Sequence, residues 1–200
     1  MKIFIFRKVT MGFRIEAEYL NGVKVIVPDA YTDSRGFFME SFRADYFSKL
    51  GLPIEFLQEN HSCSTAGVLR GLHFQWDKPM GKLLRVIHGE AILVEVDIRP
   101  DSPTLGKWCS IELSRENRRI VWVPPGFANG FLAKSEGMEI LYKCTAIYNP
   151  ATESGIRWND PDIGIEWGIT NPILSEKDTS AQMLSEWLEK PESSSFRIQQ

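Results

Sequence analysis

The densest chemistry in this chain stands within six positions, where Arg70, His73 and Gln75 share the stretch RGLHFQ. An imidazole titrates near neutral pH and can take or give a proton, so His73 is a candidate general base. On an extended strand, side chains two apart share a face, so His73 and Gln75 would line one surface. A metal-holding barrel would want a second histidine there and a carboxylate soon after. The residue two along is an amide, and Asp77, the next acid, stands in a turn-like stretch, so no metal and no cofactor are expected. A lone histidine is equally compatible with a structural role. Burying an arginine, a histidine and a glutamine together is nonetheless costly unless they are used.

Three other polar residues interrupt apolar stretches. Tyr142 and Lys143 follow Ile140 and Leu141, so one of the two faces inward. Tyrosine is the cheaper to bury, either as an acid or as a core aromatic with a bonded hydroxyl. Lys82, just before Leu83 and Leu84, either snorkels to solvent or points a charge inward. The stretch GFANGF (126–131) reads as a tight turn, where Asn129 could serve left-handed geometry alone.

The 200-residue chain carries 23 Lys and Arg against 26 Asp and Glu, a formal net charge of −3. That balance argues against a general nucleic-acid binder, although a local basic pocket for a phosphate is compatible with it. No apolar run approaches the ~20 residues that span a bilayer. The opening MKIFIFRKVT is interrupted by Arg7 and Lys8 too early for a secretory leader, and a cytoplasmic location is expected. Cys63, Cys109 and Cys144 are odd in number and widely spaced, so reduced thiols are expected.

The elements that must position these residues are mostly strands. Residues 23–27, 83–87, 91–98, 108–113, 119–123, 130–133 and 139–145 are rich in β-branched or aromatic types and are separated by turn residues. Such spacing predicts an all-β sandwich or barrel, of which the jelly roll is one form. Two short helices are expected, over 43–50 with Tyr46, Phe47 and Leu50 inward, and over 180–190 stopped by Pro191. The chain reads as a single domain over 1–200, with an N-terminal extension (1–12) and a polar, mobile tail (191–200). The β-type sequence at 2–6 and 23–27 offers an unpaired edge, which predicts a homodimer.

Taken in order, the motifs resemble the dTDP-4-dehydrorhamnose 3,5-epimerases. They are DSRGFFMESF (33–42), FLQENHSCS (56–64), GVLRGLHFQ (67–75), GKLLRV (81–86) and VDIRPDSPTLGKW (96–108). LSRENRR (113–119), VPPGFANGF (123–131), LYKCT (141–145), SGIRWNDPDIGIEW (154–167) and LSEKD (174–178) follow. The resemblance implies a cupin-type double-stranded β-helix jelly roll with a few short peripheral helices, free of metal and dimeric. It implies inversion at C3 and C5 of dTDP-4-dehydro-6-deoxy-D-glucose to give dTDP-4-dehydro-L-rhamnose. By the same resemblance His73 is the base, Asp178 its partner, Tyr142 the proton donor on the opposite face, and Lys82 the cation near the developing oxyanion. Arg35, Arg70 and Lys177 match residues that engage the nucleotide sugar. Glu40, Gln58, Glu59, Asn60 and Glu153 match polar contacts to it, and Tyr148 an aromatic that stacks on the base.

Two positions depart from the family pattern. Asn129 stands where the usual motif is GFAHGF, and Ile147 precedes Tyr148 where many relatives have two tyrosines. An amide cannot move a proton near neutral pH. The alternatives therefore include inversion at one centre, another nucleotide-linked 4-keto sugar, and a cupin that binds a nucleotide sugar without turnover.

Overall fold

Strand alternation divides this chain between two antiparallel sheets that meet at an apolar interior. The computed structural model describes residues 12–197. The first sheet has six strands, in the spatial order β1 (Phe13–Tyr19), β2 (Val23–Pro28), β10 (Ile120–Val123), β7 (Lys82–His88), β12 (Met138–Cys144) and β5 (Gln58–Ser64). The second has five, in the order β13 (Glu153–Gly155), β6 (Leu69–Gln75), β11 (Phe127–Ala133), β8 (Glu90–Asp97) and β9 (Trp108–Ser114). A separate hairpin joins β3 (Ala30–Asp33) to β4 (Gly36–Met39). Non-sequential neighbours such as β10 beside β2 and β11 beside β6 are the crossovers of a jelly roll, and neither sheet closes on itself.

The interior takes alternate residues from both sheets. Val23, Leu84, Val86, Val121 and Ile140 from the first meet Leu93, Ile111, Leu113, Phe127 and Phe131 from the second. Each sheet is also covered on its back. Behind the first, Phe47 of α1 (Ala44–Lys49) packs with Ile26, Leu83 and Trp122. Behind the second, α3 (Leu184–Leu188) sets Trp187 against Phe74, Val96 and Ile98. Central strands therefore have both faces buried, which is why β11 has no exposed residue.

The structure differs from expectation at four places. Residues 23–27 are not an edge: β2 pairs with β1 on one side and β10 on the other, so among the described residues β1 is the outer strand. The other half of that expectation, residues 2–6, lies outside the described residues. The helix expected over 180–190 is confined to Leu184–Leu188, because Gln182 is drawn into a bridge with Ile156 and accepts the Arg157 N–H at 2.8 Å. The tail is packed rather than free as far as Arg197. Pro191–Phe196 form a 3₁₀ turn, and the Phe196 ring lies 5.7 Å from Phe74 and 6.2 Å from Trp187. Finally, GFANGF is no tight turn around Asn129. After the left-handed Gly126, the chain runs straight into β11, and Asn129 is mid-strand.

Candidate active site

Asn129 stands in register between two other polar residues of the second sheet. Across one side of β11 it pairs with His73 on β6, and across the other with Glu95 on β8. β6 and β11 approach closely enough for this at Gly71, where a Cβ would fall 2.5 Å from the Gly130 Cα and φ is +120°. Only glycine suits both conditions. Facing this row from the first sheet, Lys82 opens β7 and pairs with Cys144, two residues beyond Tyr142 on β12. His73, Lys82, Asn129, Tyr142 and Asp178 line one cavity of about 420 Å³, with Arg70 at its rim. A smaller lobe of about 100 Å³ shares His73, Lys82 and Tyr142 and adds Asn60, Gln75, Tyr148 and Glu153.

His73 is oriented by a residue from a different part of the chain. Its Nε2 lies 2.5 Å from Asp178 Oδ1, and the Asp178 side chain is almost wholly buried. Asp178 is itself fixed by α2 (Glu176–Thr179). Ser175 caps that helix, accepting the Asp178 N–H at 3.1 Å and donating its hydroxyl to Oδ2 at 2.8 Å. Both carboxylate oxygens are thus engaged. Burial pushes the Asp178 pKa up, but the His73 hydrogen bond and charge, with the Ser175 hydroxyl, outweigh it and hold the carboxyl below its usual range. A carboxylate on Nε2 places the ring proton there and leaves the lone pair on Nδ1, the form a base requires.

Gln75, on the same face as His73, is spent on structure. Its Nε2 donates to the carbonyls of Lys78 and Ile147, and its Oε1 accepts the Asn149 N–H at 2.8 Å. It holds the loop that carries Tyr148.

Lys82 and Tyr142 both face inward, as alternation demands, since Leu83 and Lys143 face out. Burial pushes the Lys82 ammonium toward its neutral form, while Cys144 and Glu95 oppose that shift. Burial also raises the Tyr142 hydroxyl above the ordinary tyrosine value, keeping it a protonated acid. Asn129 bridges Glu95 and Lys82: its Nδ2 donates to Glu95 Oε1 at 2.5 Å, and its Oδ1 accepts from Lys82 Nζ at 3.4 Å. Glu95 was not among the residues singled out from the sequence, although a lone acid in the run AILVEV is a legible signal of its own. Among the described residues no three His, Cys, Asp or Glu side chains come together as a metal site, and the three cysteines are unpaired.

An imidazole and a phenol thus line one cavity from opposite sheets, with a lysine beside them. The sequence profile of the dTDP-4-dehydrorhamnose 3,5-epimerases matches residues 17–186. The chain belongs to this family. A dTDP-4-dehydrorhamnose 3,5-epimerase from Methanothermobacter thermautotrophicus is 50% identical over 177 residues, covering 87% of this chain and 96% of the relative. The crystal structure of dTDP-6-deoxy-D-glucose-3,5-epimerase from Legionella pneumophila in complex with dTDP-4-keto-L-rhamnose superposes with a TM-score of 0.87 at 42% identity. It covers 94% of this chain and 99% of that one. A dTDP-4-dehydrorhamnose 3-epimerase from Streptomyces niveus is 37% identical over 170 residues, covering 84% of this chain and 82% of the relative. The family is one of isomerases, and the two-sheet architecture is its cupin-like jelly roll.

The residues that the family resemblance assigns to the nucleotide sugar fall into three groups. Arg70, Asn60, Tyr148 and Glu153 line the two lobes. Lys177 is gathered to them by Glu153, whose Oε2 accepts from its Nζ at 2.5 Å and from the Tyr148 hydroxyl at 2.7 Å. Gln58 acts one step back: its Oε1 accepts the Tyr148 N–H at 2.8 Å and its Nε2 donates to Asn60 at 2.9 Å.

The third group lies elsewhere within this one chain. Glu59 alternates to the outer face of β5, where Lys143 pairs with it at 2.9 Å in a separate hollow. Arg35 sits in the β3–β4 hairpin, exposed and paired with Asp33 beside Phe37 and Phe38. Glu40, just past that hairpin, faces Arg43 at 3.5 Å, with Oε2 buried and unbonded. None of the three lines the cavity that His73 and Tyr142 share.

Proposed function

We propose that this protein inverts C3 and C5 of dTDP-4-dehydro-6-deoxy-D-glucose, giving dTDP-4-dehydro-L-rhamnose by proton transfer alone. The observation that carries this reading is the placement of His73 and Tyr142 on opposite walls of one cavity. A 4-keto group acidifies the hydrogens at C3 and C5. His73 Nδ1 takes one of them, and the C–H electron pair moves through the new C=C bond onto O4 as an enolate. Lys82 places positive charge beside that oxygen in a water-poor site, where a fixed charge is most effective. Tyr142 then returns a proton to the opposite face of the same carbon. His73 leaves protonated and Tyr142 deprotonated, and exchange with solvent resets both. Asp178 holds the imidazole in place and fixes its tautomer. No electron leaves the substrate, so the reaction balances without a redox cofactor or a metal.

Arg70 and Lys177 supply the local positive charge for the diphosphate of a net acidic protein, and Tyr148 an aromatic face for the thymine. Arg35 and Glu40 can serve the same substrate only from a second copy of the chain. A homodimer that seats the β3–β4 hairpin on its neighbour is supported by the exposed Tyr31, Phe37 and Phe38 on that hairpin, and by β1 as the sheet's outer strand.

A second reading, inversion at one centre only, is favoured by one observation: at position 129 a neutral amide stands where the family pattern has histidine. Incubating the protein with dTDP-4-dehydro-6-deoxy-D-glucose and reading the sugar configuration by proton NMR decides between them. The L-sugar supports double inversion, a product changed at one carbon supports the second reading, and unchanged substrate contradicts both.

A further inference from the structure

Glu95 has no part in the proton transfers above, yet it is fully buried in mid-β8 beside the catalytic row. Taking a carboxylate out of water is costly relative to an apolar residue of similar size, so its presence calls for a use. Its Oε1 accepts from Asn129 Nδ2 at 2.5 Å, and its Oε2 is buried with no hydrogen-bond partner. Asn129 Oδ1 faces the Lys82 ammonium at 3.4 Å. An amide has one donating end and one accepting end, so a carboxylate on one side dictates which end turns to the other. With the amide reversed, an NH₂ group would face the ammonium and a carbonyl would face the carboxylate, and both contacts would be repulsive.

We infer that Glu95 is a positioning residue which, through the Asn129 amide, aims the Lys82 ammonium at the sugar oxygen where charge develops. The inference rests on the role given to Lys82 in the proposed function. Glu95 also acts as a counter-charge. Burial drives Lys82 toward its neutral form and Glu95 toward its acid form, and each charge supports the other. His73 from β6, Tyr142 from β12 and Asp178 from α2 share the cavity with Lys82. Cys144 from β12, Glu153 from β13 and Lys177 from α2 also act on it, and Cys109 from β9 adjoins Glu95. Of these, Glu153 is already engaged by Lys177 and Tyr148.

The test compares Glu95→Gln and Glu95→Asp by solvent-exchange kinetics on the dTDP-4-keto sugar. Glutamine keeps the size, removes the charge and offers its own NH₂ to Asn129, which frees the amide to turn. It is expected to lower kcat roughly tenfold or more while KM stays within about threefold, the scale of losing one charge-assisted contact. The alkaline limb of kcat should move to lower pH, because Lys82 loses its counter-charge. Aspartate should keep that limb in place while its shorter arm lowers kcat. A purely structural role would change the melting temperature and leave the limb where it was. Parental kcat and parental limb in Glu95→Gln overturn the inference. If that variant does not fold, parental kcat in Glu95→Asp overturns it instead. Lys82→Ala separates the two claims. Exchange at the parental rate in Lys82→Ala removes the reading of Lys82 and this inference with it, whereas an inactive Lys82→Ala beside an unaffected Glu95→Gln removes the inference alone.

Discussion

His73 and Asp178 are 105 residues apart in sequence, and their Nε2 and Oδ1 atoms lie 2.5 Å apart in space. That contact joins strand β6 to the capped turn of α2, so the tautomer of the base depends on a helix of four residues. Asp178→Asn keeps the shape but removes the negative charge beside Nε2. Exchange should fall by up to about 10⁴-fold, the loss that the corresponding change causes in a catalytic triad. Parental exchange in this variant would remove Asp178 from the mechanism.

The same contact predicts a pH effect on stability. Burial alone would raise the Asp178 carboxyl, but its bonds to His73 and Ser175 hold it below 3.8, the ordinary value. A carboxyl depressed in the folded state adds stability above its unfolded pKa and loses it as pH falls through the folded one. Urea midpoints of parent and Asp178→Asn should therefore differ most near neutrality and converge below about pH 3.8. A gap that widens on acidification would contradict the sign.

Tyr142→Phe should separate exchange from inversion. His73 alone can remove a proton and return it to the same face, so deuterium still enters from heavy water, while delivery to the other face is lost. If this variant inverts both centres at the parental rate, the acid lies elsewhere.

Much of this architecture was legible in the sequence, and what was not has a physical cause. The strands that pack the core announced themselves by β-branched and aromatic content between turn residues, as at 83–87 and 139–145. Two strands of the cavity wall did not, because Arg70, His73 and Gln75 on β6, and Gln58, Asn60 and Ser62 on β5, put polar groups where a strand pattern expects apolar ones. Asn129 read as a turn because Pro125, Gly126 and Gly130 flank it, yet Gly130 is needed for the close approach to Gly71. The inward tyrosine of the Tyr142–Lys143 pair followed from desolvation cost. By contrast, the family resemblance that named Glu59 carries no strand face, and Glu59 points to the outer side of β5. No local pattern marks the tie between Asn129 and Glu95, since strand register alone brings them together.

The C-terminal turn offers a prediction about packing. The Phe196 side chain is buried against Phe74 and Trp187, on the back of the strand that carries His73. Phe196→Ala should cost about 3–5 kcal/mol, the usual range for emptying such a site. Denaturant unfolding measures this, and an unchanged midpoint would mean that the turn adds nothing to the fold.

Position-resolved exchange tests the role of His73 most directly. Parent and His73→Ala protein are incubated with dTDP-4-dehydro-6-deoxy-D-glucose in heavy water, and deuterium at C3 and C5 is located by NMR. The parent is predicted to label both carbons with inversion, and His73→Ala to label neither above the uncatalysed rate. Deuterium at either carbon in His73→Ala at the parental rate would contradict the assignment of His73 as the base.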